Sequence, residues 1–116
     1  WGRRTYGVRM GRERVIDLFD DIAQEFVVRE GVDRGRIFSS VGLRIRGKAF
    51  AFPVATGIIA KLPEHRVTAW EAGGRAERMV MRERAMREWI FVDEDAADLW
   101  PQIIEEAWAF VDGITP

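Results

Sequence analysis

The chain has 116 residues, 47 % of them hydrophobic and 32 % charged, with a formal net charge of −1. That length suits one domain with a real core, and that apolar share excludes wholesale disorder. The absence of cysteine excludes disulfides, thiol nucleophiles and thiolate metal sites, and a single histidine, His65, cannot build an imidazole zinc cluster.

No apolar run approaches the roughly 20 residues that a membrane-crossing helix needs. The longest, AFAFPVATGIIA, is broken by Pro53 and Gly57. A cysteine-free chain fits a reducing cytoplasm, where this reading places it, and no cofactor is expected. Charge is uneven along the chain: residues 1–48 hold eleven Lys and Arg against seven Asp and Glu, and residues 49–116 hold seven against twelve. A dedicated nucleic-acid binder carries a strongly basic domain, because its affinity comes from neutralising phosphates, and this balance does not match one. The charge asymmetry is open to subunit pairing or to no role at all.

Residues 1–10, WGRRTYGVRM, lack the apolar centre of a secretory signal and read as an N-terminal extension, flexible or foreign to the domain; residues 11–116 read as a single domain. The stretch GRERVIDLFDDIAQEFVVRE predicts an amphipathic helix up to Gly31, with Val15, Leu18, Phe19, Ile22 and Phe26 on one face. From Arg36 the period becomes two. Ile37, Val41, Leu43 and Ile45 share one parity and Arg36, Ser40, Arg44 and Arg46 the other, predicting a first strand. A tight turn at Arg46-Gly47-Lys48 leads to a second strand, Lys48 to Ala55, with Phe50, Phe52 and Val54 on one side and Ala49 and Ala51 on the other. Pro53 cannot donate to a ladder and predicts an edge or a bulge. IIAKL follows as a third strand.

Pro63 suits the start of a helix over PEHRVTAWEA, closed by Gly73-Gly74. ERMVM and MREWIFV predict two further strands joined near residues 82–85. A last helix, beginning near Asp98 behind a cluster of carboxylates, carries Trp100, Ile103, Ile104, Ala107, Trp108 and Val111 at helical spacing. The expected product is a two-layer α+β domain of order α-β(3)-α-β(2)-α, with a five-stranded antiparallel sheet and the terminal helices on one face.

Several stretches in this order carry a likeness: DRGRIFSSVGLRIRGKAFAF, IIAKLP, AWEAGGR, AMREWIFVD and EEAWAFV. Together they resemble the N-terminal domain family of the TfoX/Sxy competence regulators, kin to YjbR-like proteins, over about residues 12 to 112. The resemblance implies a secretion-chaperone-like fold, no established catalytic residue, and a role in bacterial competence-gene regulation through contact with transcription machinery.

Arg34, Arg36, Arg44, Arg46 and Lys48 are the candidate phosphate or partner contacts, with Phe38 able to stack on a base. Their plainer reading is a solvated strand face that discourages edge pairing, and the acidic composition favours it. His65, in the first turn of a helix, has no evident nucleophile or orienting acid beside it and reads as a surface residue. Adjacent carboxylates such as Asp20-Asp21 and Glu105-Glu106 diverge by about 100° on a helix and make poor acid–base dyads. Gly73-Gly74-Arg75 lacks the spacing of a phosphate loop. Trp89 and Phe91 share a parity opposite Ile90 and Val92, so their strand is apolar on both faces. Either the second helix with Trp70 or a partner chain must cover the extra face, and Trp89, Phe91 and Phe38 are the candidate partner surface. The reading is a non-enzymatic protein-interaction domain acting as a homodimer. Direct DNA binding through the basic hairpin is the alternative.

Overall fold

The computed structural model describes residues 11–116. The predicted N-terminal extension, residues 1–10, lies outside them. Three helices and six strands follow in the order α1 (Gly11–Ala23), β1 (Val32–Ile37), β2 (Ser40–Ile45), β3 (Lys48–Val54), β4 (Gly57–Lys61), α2 (Glu64–Ala72), β5 (Glu77–Met81), β6 (Arg84–Asp93) and α3 (Trp100–Ile114). The strands form one antiparallel sheet of order β1-β2-β3-β4-β6-β5. The α+β class is as expected, but the sheet has six strands where the sequence predicts five. The extra one is β1, whose VDRGRI pairs with β2 across a two-residue turn at Phe38-Ser39. Asp33 and Gly35 are poor strand formers, and the turn carries no Gly, Pro, Asn or Asp to announce it.

The first helix is also shorter than predicted. It ends at Ala23, and Glu25, Phe26 and Arg29 donate to carbonyls only three residues back as far as the turn at Gly31. These tightened turns still bring Phe26 into the core, where its ring lies 6.2 Å from that of Phe50. A 3₁₀ segment, Glu94–Leu99, precedes α3, and the Asp93 side chain accepts from the Ala96 N–H to cap it.

All three helices cover the same face of the sheet. Val15 and Phe19 of α1, Val67 of α2 and Trp100, Ile103 and Ile104 of α3 form one cluster with Leu43, Ile45, Ile58, Ala60, Ile90 and Val92 of the strands. Trp100 is fully buried, and its indole N–H donates to the Asp93 carbonyl. Arg66 and Trp70 of α2 both donate to Glu106 of α3, locking the two helices together. The second helix therefore does not cover the far side of β6.

A register shift in the β2–β3 pairing decides what that far side presents. Leu43 pairs with Ala51 and Arg44 with Ala49, so Phe50 is an extra residue on β3. Phe50 and Ala51 consequently both join the helix-side core, and Phe52 points the other way. The sequence reading put Phe50, Phe52 and Val54 on one side; the bulge parts Phe50 from the other two.

Candidate functional site

The uncovered face of the sheet carries a trough of about 1070 Å³. Its floor is Phe52 of β3, Ile59 of β4 and Trp89 of β6; Met79, Met81 and Met86 of the β5–β6 hairpin line one side. On the other side stand Ile37, Phe38 and Val41 of the β1–β2 hairpin, beyond which Arg12 and Ile16 of α1 close the lining. Phe38, Phe52 and Trp89 form an aromatic row, with ring centroids 6.0 Å and 6.1 Å apart in turn. These are spacings at which aromatic rings attract by edge and offset contacts. The Lys61 ammonium lies 5.4 Å from the Trp89 ring centre.

Pro53 stands where the trough opens. The β2–β3 register runs no further than Leu43↔Ala51, so Ser40–Gly42 have no β3 partner. From the two-residue loop that closes on Val54↔Gly57, alternate pairs are bonded, which aims the Pro53 nitrogen at β2. Having no N–H, Pro53 cannot continue that ladder. The β1–β2 hairpin parts from β3 there, and Gly42 permits a close crossing over β3: a Cβ would collide with Phe52 and the Ala51 carbonyl.

Phe38 is 83 % exposed and has φ 57°, a left-handed conformation that costs a bulky residue free energy. The strain holds an aromatic ring at the rim of the trough, where glycine would suit the turn's backbone better.

The five basic candidates separate. Arg34 donates to Asp20 at 2.9 Å and to the Val41 carbonyl, with its guanidinium 5.4 Å from the Phe19 ring centre. Arg44 binds the cross-strand Asp33 through two hydrogen bonds, 3.0 and 2.7 Å, and the Asp33 carboxyl is held below its ordinary pKa chiefly by them. Arg46 binds Asp112 and the carbonyls of Asp112, Thr115 and Pro116 at the end of α3. Arg36 and Lys48 are exposed and have no ion-pair partner among the described residues. The hairpin is basic in sequence, but three of its five cations are committed inside the fold.

Of the candidate partner residues, Phe38 and Trp89 line the trough; Phe91 shares Trp89's parity but lies outside the lining. His65 is exposed on α2, also outside it. Sequence reasoning missed the methionines and Ile59 as parts of the same surface. The signal was present in the alternation of Met79 and Met81, but joining them to Phe52 needs the strand order. Among the described residues no group of three His, Asp or Glu is placed to hold a metal ion, and no helix is long and apolar enough to cross a membrane. The described residues thus form an α+β domain with one sheet face covered by helices and one that they leave open and lined by aromatic side chains. No family model, curated protein or solved structure matches the chain.

Proposed function

We propose that the chain is a non-enzymatic protein-interaction domain that binds its partner through the bare sheet face. The observation that carries this reading is the apolar trough itself, which the described residues leave open with Phe38 and Trp89 at its surface, an arrangement that contact with a partner would stabilise. The resemblance to the TfoX N-terminal family agrees with it: the β1–β2 hairpin adds one strand to the order α-β(3)-α-β(2)-α, and helices on one face suit a secretion-chaperone-like layout. Contact with transcription machinery in competence regulation is the role this resemblance suggests.

A homodimer closed through the trough is less favoured than an unlike partner, because Arg12 and Arg36 at one end would face cations of the second copy. DNA binding is weakened as a reading by the internal pairing of Arg34, Arg44 and Arg46. Affinity capture from cytoplasm, with and without nuclease, tests the proposal with Trp89→Asp as control. A protein retained after nuclease and lost with Trp89→Asp is expected. Capture that disappears with nuclease, or that ignores Trp89→Asp, would refute it.

A further inference from the structure

The lining of the trough is one-sided in charge. Arg12, Arg34 and Arg36 stand at the end formed by α1 and the β1–β2 hairpin, with Asp20 the one carboxylate among them, and Arg34 already binds it. A second hollow of about 340 Å³ adjoins the trough through Ala49 and Trp89 and brings in Lys48 and Lys61, with no Asp or Glu in its lining. Of the eight ion pairs among the described residues, six hold cations outside these two linings, and Lys61 meets Glu88 only at 3.9 Å. Arg12, Arg36 and Lys48 have no such partner among the described residues. An apolar floor between two cationic ends, in a chain of net charge −1, is a selective arrangement.

We propose that the trough docks an acidic amphipathic segment of a partner protein. Its apolar side chains lie on Trp89 and Met81, above the buried Phe52, and its carboxylates meet Arg12 and Arg36 at one end and Lys48 at the other. This inference rests on the interaction reading above and names the chemistry of the partner. Cations at both ends favour an acidic segment and reject basic ones, because like charges brought together across an apolar contact repel. Met79, Met81 and Met86 give the floor an adaptable side, suited to aliphatic or aromatic anchors of differing shape. Phe38, strained and exposed beside the Phe52 ring, is placed to fold over the segment once it is bound.

The test is selection from a random-peptide display library against the full chain, followed by affinity measurement on the enriched peptides. Enriched peptides carry Asp or Glu flanking apolar residues, and their affinity falls as salt rises. Arg12→Glu with Arg36→Glu weakens them about tenfold, as expected for reversed charges at an interface. Phe38→Gly weakens them without lowering the melting temperature, because glycine relieves the left-handed strain. A residue serving only the fold would show the reverse. Enriched peptides that are neutral or basic but still need Trp89 overturn the acidic partner and leave the interaction reading standing. If no enriched peptide needs Trp89, both fall. Vesicles of anionic phospholipid binding in place of every peptide, or a concentration-dependent dimer that buries Trp89, would also overturn the proposal.

Discussion

Glu106 shows how much a single residue's surroundings decide. It reads in sequence as one of two adjacent acids on a solvated helix, yet in the fold it receives Arg66 through two 2.9 Å hydrogen bonds, the Trp70 indole at 3.1 Å and Gln102 at 3.0 Å. Burial pushes its pKa up, but these donors together outweigh burial and hold it below the ordinary carboxylate range. A carboxylate depressed in the folded state stabilises fully above its unfolded pKa, about 4.3, and loses that contribution as pH falls through the folded value. Glu106→Gln is therefore expected to lower stability by about 1–2 kcal/mol at pH 7, with the gap to wild type closing in acid. Urea unfolding of both proteins at pH 7 and pH 3 checks it, and an unchanged gap would contradict the account. Nothing local in EEAWAFV marks Glu106 off from Glu105, which binds Arg29 instead. Only the packing of α2 against α3 separates their roles.

Among the elements, those with strong local punctuation were legible. Arg46-Gly47 turns as predicted, with positive φ at both residues, and Pro63 and Gly73-Gly74 bracket α2. The turn at Phe38-Ser39 was not legible, because its left-handed residue is one that sequence rules do not place there. The parity of β3 was also hidden: a bulge is decided by the partner strand, and a period-two reading carries through it unchanged. Pro53 was read as an edge or a bulge; it lies in an inner strand where one ladder stops, three residues after the bulged Phe50. If the missing N–H holds the cleft open, Pro53→Val extends the β2–β3 pairing toward Ser40. Amide exchange at Val41 and residue 53 should then become slower, and affinity for any trough ligand should fall. Unaltered exchange at Val41 would mean that the hairpin parts from β3 for some other reason.

At the scale of the molecule, the uneven charge along the chain resolves inside one fold. Arg29 of the basic half binds Glu105 of the acidic half, and Arg46 binds Asp112. The asymmetry therefore needs no second subunit to explain it, and composition alone could not tell these two uses apart. What the sequence did convey was a strand apolar on both faces, and β6 is the place to test whether those faces differ. Ile90 is fully buried under the helices, whereas its neighbour Trp89 is half-buried on the trough side against Phe52 and Lys61. By side-chain size alone, truncating tryptophan should be the more damaging change. The fold predicts the opposite order: about 3 kcal/mol lost for Ile90→Ala, which opens a cavity in a closed core, and about 1 kcal/mol for Trp89→Ala, whose site is already open to water. Denaturant unfolding of the two variants decides between these orders. Comparable or greater loss at Trp89 would mean that the bare face is covered in the free protein, so that the trough would be core and no longer available to a partner.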